Sequence, residues 1–381
     1  MKERYFLLIP LIISTIGFTQ SRGYSQTELE DGTEYHIEFK IRPALEEVDA
    51  DGDGILTIGS RDKVGSYAQL DHDKDGRVTP EEIAEGLPHQ GAGEVYRNLV
   101  YKRVSGETLL IDLYLPGNGD GGDFPLVYHT HGGGWGGGNK DSKGRRKTMF
   151  ETFLTAGYAV ASVHYRLVDR DDPENPNTME HCVVDSKDGL RFLKKHAEKF
   201  QLDMDRVVTF GGSAGGHLAM MLALTGPKEF EGDPLLRDYI VNPVGCITLF
   251  GPSSFMDPSL FLSGVDGARQ LDGSRFAERM IKGAEASTYE KADAPLRSMM
   301  KKLSPITYLE KDSPPILSIH GDRDVLIPKQ HSAYLKESAD KIGARVDVVV
   351  VKGAGHGFSG EKISPTQPEI YEIMGRFAQQ F

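Results

Sequence analysis

Gly211-Gly212-Ser213-Ala214-Gly215 stands between an apolar run at 206–210 and an apolar run with helical spacing at 217–224. A strand that must turn at once into a helix leaves a serine at the bend with its hydroxyl exposed. Small neighbours let the backbone bend, and the helix start places a positive dipole end behind the serine. A glycine-rich turn with an idle serine has the same spelling; the strand–turn–helix setting argues for function. On both sides of this motif strand-like and helix-like runs alternate. Strands are predicted at 98–104 and 109–115, joined through Ser105-Gly106, and at 124–130, 158–165, 207–210, 244–250, 315–320 and 346–351. Helices are predicted at 148–156, 180–200, 329–342 and 367–379. The fold class that follows is α/β: a mostly parallel sheet with helices on both faces, interrupted by a small cap insertion at 253–303.

An exposed serine needs a base, and the base needs an orienting carboxylate. On such a sheet the expected chain order is serine, acid, histidine. Behind the strand at 315–320 comes Gly321-Asp322-Arg323-Asp324, and behind the strand at 346–351 comes Gly353-Ala354-Gly355-His356-Gly357-Phe358. Both loops follow strand C-terminal ends, where open α/β sheets place their sites. Asp324 and Asp322 compete for the acid, Asp322 having the alternative of tying the loop through backbone N–H groups. His131, His164, His217 and His331 are less well placed in chain order, and structural hydrogen bonding or a place on the solvated surface are their simplest roles. His131-Gly132-Gly133-Gly134-Trp135 follows the strand at 124–130. Its glycine N–H groups, unshielded by side chains, can join that of Ala214 in an oxyanion hole.

These motifs resemble the α/β-hydrolase superfamily, specifically the hormone-sensitive-lipase-like and bacterial feruloyl-esterase-like carboxylesterases. The matching stretches are HGGGW (131–135), YRL (165–167), GGSAGGHLA (211–219), SPITYLE (304–310), PPILSIHGDRDVLIP (314–328) and GAGHGF (353–358), spread over residues 95–381. The resemblance implies an α/β-hydrolase fold with Ser213 as nucleophile, Asp324 as acid and His356 as base. It also implies an oxyanion hole from the N–H groups of Gly133, Gly134 and Ala214. The stretch at 168–177 departs from the usual wording, being rich in Asp, Asn and Pro.

Residues 46–88 are a different kind of sequence, with twelve acidic and four basic residues for a net charge of −8. Residues 71–82 fit the calcium loop D-x-D-x-D-G…E, with Asp71, Asp73 and Asp75 as carboxylate ligands, Arg77 through its carbonyl and Glu82 closing the site. Thr79-Pro80-Glu81-Glu82 is also a helix capping box, and the two readings coexist. A second loop, 49–60, offers Asp49, Asp51 and Asp53 but has Ser60 in the closing position, so it predicts weaker binding or none. The pair resembles the EF-hand or dockerin-like segments of secreted bacterial enzymes, with calcium in a structural role and a protein partner as a further use.

The start of the chain reads as an address. Lys2 and Arg4 precede an apolar run at 5–18 and small, polar residues at 19–25, the pattern of a secretory signal peptide. The organisation expected is a signal peptide at 1–25, a polar lead-in at 26–45, the calcium segment at 46–88, a linker at 89–94 and a catalytic domain at 95–381. A periplasmic or secreted protein follows, with no membrane span after signal removal. The net charge of −12 argues against a nucleic-acid surface. Two cysteines, Cys182 and Cys246, allow one bridge or two buried thiols. The function expected is a serine carboxylesterase acting on a small-molecule or polysaccharide-linked ester, short acetyl or feruloyl esters of plant polysaccharide among them. An amidase, formamidase or peptidase on the same residues is the first alternative. A non-catalytic, calcium-dependent binding protein is the second.

Overall fold

The computed structural model describes residues 25–28, 33–40, 56–57, 74–79, 91–117, 123–141, 143–169, 176–261 and 294–381. Residues 1–24 of the expected signal peptide, the middle of the expected cap at 262–293 and six of the expected calcium ligands (Asp49, Asp51, Asp53, Asp71, Asp73, Glu82) lie outside these residues.

The strands, in chain order, are β1 (Ser25–Glu28), β2 (Glu34–Lys40), β3 (Leu56–Thr57), β4 (Arg77–Val78), β5 (Ala92–Val104), β6 (Glu107–Pro116), β7 (Phe124–Thr130), β8 (Ala159–Val163), β9 (Leu202–Gly212), β10 (Gly245–Leu249), β11 (Ile316–Gly321) and β12 (Val346–Val351). Ten of them form one sheet in the order β1-β2-β5-β6-β8-β7-β9-β10-β11-β12. From β8 to β12 all neighbours run parallel, while β1, β2, β5 and β6 pair antiparallel along the other flank. The parallel strands carry the composition that burial on both faces demands. Ala159–Val163, Gly245–Leu249 and Ile316–Gly321 are buried at every position.

The helices are α1 (Arg145–Thr155), α2 (Met179–Lys195), α3 (Ala197–Phe200), α4 (Ala214–Leu224), α5 (Ala294–Lys302), α6 (Gln330–Ile342) and α7 (Gln367–Ala378). Local sequence explains their ends. Thr366 and Glu369 form a capping box on α7, and Gly343 stops α6 at φ 79°. Helix α4 is apolar all round and buried almost throughout, as a helix wedged between sheet and outer helices must be. Two large apolar clusters fill the molecule, one including Trp135, Cys182, Leu218 and Phe255, the other Phe150, Phe210, Phe358 and Phe377.

Two expectations about the lead-in and linker are corrected. The stretch expected as a polar lead-in contributes β1 and β2, which lengthen the sheet through β5. The expected linker at 89–94 ends inside β5. Its glycines mark contact rather than slack: a Cβ on Gly93 would lie 2.6 Å from the Cα of Gly117, where β5 and the end of β6 nearly touch. The short strands β3 and β4 of the acidic segment pair antiparallel, Leu56 opposite Val78. Both cysteines are buried free thiols.

Chain order places the functional edge. The chain steps from β7 to β8 on one side and returns to β9 on the other, so the crevice beyond the C-terminal ends of β7 and β9 is a topological switch point. The Gly132 to Trp135 loop leaves β7 there, and Ser213 leaves β9.

Candidate active site

Ser213 sits at φ 58°, ψ −125°, a conformation that costs about 1–3 kcal/mol and persists only where its surroundings over-determine it. Here they do. The Ser213 N–H donates to the Leu249 carbonyl at 2.9 Å. Backbone crowds the motif glycines: a Cβ on Gly211 would lie 2.3 Å from the Gly215 carbonyl oxygen, and one on Gly215 would lie 2.0 Å from that of Thr130. The G-x-S-x-G spelling is therefore a steric requirement of a bend packed against β7.

The loop behind β7 comes up beside it. A Cβ on Gly132 would lie 2.8 Å from the Gly212 oxygen and 3.5 Å from the Ser213 Cβ. Three successive residues then have positive φ: Gly133 at 122°, Gly134 at 61° and Trp135 at 60°. Glycine adopts this region freely, whereas a tryptophan there is unusual. Among the described residues, the N–H groups of Gly133, Gly134 and Ala214 find no hydrogen-bond acceptor. Beyond the glycines, Lys140 pairs with buried Asp112 at 2.9 Å, and Arg146 donates to the Asn139 carbonyl at 2.6 Å. At the near end, Tyr165 donates to the His131 carbonyl at 2.7 Å and stacks on the His131 ring.

Asp324 and His356 meet from adjacent loops. His356 Nδ1 donates to Asp324 Oδ2 at 2.8 Å. Oδ1 accepts the N–H groups of Leu326 and Ile327, both at 2.9 Å. Burial alone would raise the Asp324 pKa; the neighbouring imidazoles of His320 and His356 and the Ile327 N–H outweigh it and hold the carboxyl down to about 2. It is thus a carboxylate at neutral pH, and because a carboxylate only accepts, Nδ1 of His356 carries the proton of their bond. Asp322 takes the other role weighed for it: its Oδ1 accepts the Gly353 N–H at 2.7 Å and ties β11 to the His356 loop. Phe250 bridges to the serine. Its ring stands edge-on to His356 at 4.7 Å and lies 3.2 Å from where a Gly212 Cβ would be. Among the described residues Ser213 Oγ has no hydrogen-bond partner.

The remaining histidines do structural work. Burial lowers His131 to about 3, and its Nδ1 bonds the Gly132 carbonyl at 2.8 Å. Buried His331 accepts the Ser253 N–H at 3.2 Å. Sequence reasoning passed over His320 and Phe250. His320 donates from Nε2 to the Ile327 carbonyl at 2.7 Å, 3.6 Å from Asp324 Oδ2, while its Nδ1 meets Ser332 at 2.6 Å. The signal for His320 was present in the His-Gly-Asp-Arg-Asp run; Phe250 had none. Tyr-Arg-Leu also gains a reason. Arg166 makes two hydrogen bonds to Asp185 on α2, at 2.7 and 2.8 Å. Lys102 on β5 pairs with Asp185 and Asp188 at 2.8 and 2.7 Å, all largely buried.

In the acidic segment, Asp75 Oδ1 accepts the Arg77 N–H at 2.7 Å, and Lys74 and Gly76 turn the chain at φ 62° and 83°.

Known proteins align with this architecture. LipM of Mycobacterium tuberculosis, a probable carboxylic ester hydrolase, is 26% identical over 211 residues, 55% of this chain and 44% of its own length. The chain thus spans less than half of that relative. Esterase LipC of the same organism is 23% identical over 333 residues, 83% of this chain and 77% of its own. Among solved structures, a truncated carbohydrate esterase from gut microbiota superposes with a TM-score of 0.60 at 22% identity, covering 76% of this chain and 97% of that one. Apo Thermogutta terrifontis esterase 2 superposes with a TM-score of 0.57 at 23% identity, over 76% and 94%. At these identities the superpositions speak for the fold. The BD-FAE family model matches residues 111–339, from within β6 into α6, a span that holds the glycine loop, Ser213 and Asp324. Because that match takes in more than half of its residues, the chain belongs to the BD-FAE family.

Proposed function

We propose that the protein is a serine carboxylesterase in which Ser213, His356 and Asp324 hydrolyse carboxylic esters through an acyl-enzyme. The observation that carries this reading is the 2.8 Å bond from His356 Nδ1 to a carboxylate held ionised, at the rim where Ser213 is forced into a strained, half-buried bend. His356 Nε2 takes the hydroxyl proton as Ser213 Oγ attacks the ester carbonyl. Asp324 fixes the ring tautomer and stabilises the imidazolium. The developing oxyanion is received by the N–H groups of Gly133, Gly134 and Ala214; in comparable enzymes one such donor is worth about 3–4 kcal/mol. His356 then protonates the leaving alcohol, and water, deprotonated by the same ring, releases the acid.

Short acyl esters of plant polysaccharide, acetyl or feruloyl, are the substrates proposed. Support comes from a carbohydrate esterase among the structural neighbours, from a secretory pattern at 1–25 and from the attached acidic segment. Export to the periplasm or beyond is part of the same proposal. The acidic segment is proposed as a structural calcium module, with Asp71, Asp73, Asp75, Glu82 and the Arg77 carbonyl as ligands. Leu56 and Val78, the eighth residues of the two loops, pair with one another, which supports two loops held side by side. Calcium there supplies charge neutralisation and closes the acidic loop.

Two measurements test the reading. A fluorophosphonate probe should label Ser213 alone, at one probe per chain. A panel of acetyl, longer-chain, feruloyl and sugar-acetate esters, with aryl-formamide and aminopeptidase substrates beside them, should show turnover of esters. Absence of labelling on folded protein contradicts the catalytic reading, and faster amide than ester turnover contradicts the bond assigned.

A further inference from the structure

Trp135, the chain's one tryptophan, closes the glycine loop at φ 60° and is 1% exposed. Its indole Nε1 donates to His217 Nδ1 at 3.2 Å. His217 lies on α4, four residues beyond Ser213, and is completely buried. On the far side of the ring, Nε2 meets the carbonyl of Leu303, just past the end of α5, at 2.7 Å. An indole N–H can only donate and a carbonyl can only accept, so both partners demand one tautomer, with Nδ1 bare and Nε2 protonated. Burial lowers the ring's pKa to about 4, against an opposing pull from the Leu303 carbonyl, which keeps the ring in that neutral form at pH 7. Phe255 packs edge-on to both rings, with centroids 5.9 Å from Trp135 and 5.3 Å from His217. The Trp135 carbonyl is held from a third direction by the Val168 N–H at 3.0 Å.

We infer that His217 is a positioning residue that joins the glycine loop, the nucleophile helix and the return of the cap insertion, holding Trp135, and with it the Gly133 and Gly134 amides, in the conformation the reaction uses. The inference rests on the esterase reading for its catalytic consequence, but the geometry it describes is readable without catalysis. The relay also makes the seat of the cap and the shape of the oxyanion loop one mechanical unit, because the same imidazole bonds both.

The sole tryptophan makes the test direct. Two variants of the full chain divide the relay: His217→Gln places an amide near the Nε2 position and keeps the Leu303 bond while losing the acceptor for Trp135, and His217→Asn does the reverse. His217→Gln should shift tryptophan emission to the red and lower kcat on p-nitrophenyl acetate on the order of 10- to 100-fold, with KM within about twofold. His217→Asn should keep the wild-type emission and lose less kcat. Trp135→Phe, which keeps a ring and removes the N–H, should resemble His217→Gln, and the double variant should cost less than about twofold more. Wild-type emission and kcat in His217→Gln would overturn the inference. So would equal losses of kcat and melting temperature in both His217 variants with emission unmoved, which is the mark of simple destabilisation. Should the wild type lack Ser213-dependent hydrolysis, the esterase reading fails by itself, and the emission difference between the Gln and Asn variants still decides whether His217 holds the loop.

Discussion

Asp324 holds His356 with one carboxylate oxygen and its own loop with the other: Oδ2 accepts from His356 Nδ1 at 2.8 Å, and Oδ1 accepts the N–H groups of Leu326 and Ile327 at 2.9 Å. Removing the charge while keeping the shape is the sharpest test of this pair. Asp324→Asn should lower kcat on the order of 10⁴-fold, because an amide N–H facing Nδ1 selects the wrong imidazole tautomer. Steady-state kinetics with an activated ester measures it.

The same carboxylate gives a pH dependence of stability. Its folded pKa of about 2 lies below the ordinary carboxylate value, so its contribution is complete above about pH 4 and is lost as pH falls toward 2. Denaturant midpoints for the wild type should therefore decline between pH 4 and 2 more steeply than those of Asp324→Asn. Equal slopes would contradict the assignment.

Asp185 lies under two cations, Lys102 at 2.8 Å and Arg166 at 2.7 Å, all three with side chains almost out of solvent. Asp185→Ala leaves both cations less compensated in the interior. A loss of about 3–5 kcal/mol is expected from urea unfolding. A loss under about 1 kcal/mol would show that water or a neighbouring carboxylate replaces it.

Gly215→Ala would set a Cβ 2.0 Å from the Thr130 carbonyl oxygen and 2.8 Å from the His131 carbonyl, all of it backbone. Strand β7 or the serine bend must move. The variant should melt well below the wild type, by the equivalent of about 3 kcal/mol or more, and lose ester turnover with it.

What the sequence made legible is what short-range chemistry encodes. The loops that carry Ser213, Asp324 and His356 at strand ends were readable because their glycines and neighbours are dictated locally by those ends. The hydrogen-bonding role expected for His217 holds, but its partners, Trp135 and Leu303, are 82 and 86 residues away, and no spacing reveals them. The ion pairs of Lys102 with α2 span 83 and 86 residues and were equally hidden. The misread stretches fail for another reason. Glycines at 91 and 93 look like a linker when they allow close approach of strands, a distinction that depends on what lies across the gap. Strand β2 lies in a stretch too polar to stand out from its surroundings.

The calcium proposal makes a prediction of its own. Added calcium should raise the melting temperature, by about 2.7 kcal/mol of stabilisation at a hundredfold excess over Kd, and chelation should reverse it while kcat at a permissive temperature stays near its original value. Glu82→Gln should abolish the response. Large loss of turnover on chelation with an unchanged melting temperature would instead make the ion catalytic.

The central claim is that Ser213 is the nucleophile, and the most direct measurement is p-nitrophenyl acetate turnover by Ser213→Ala. The geometry predicts a fall on the order of 10⁵- to 10⁶-fold in kcat with the fold and melting temperature retained. Full turnover by the folded variant would contradict it.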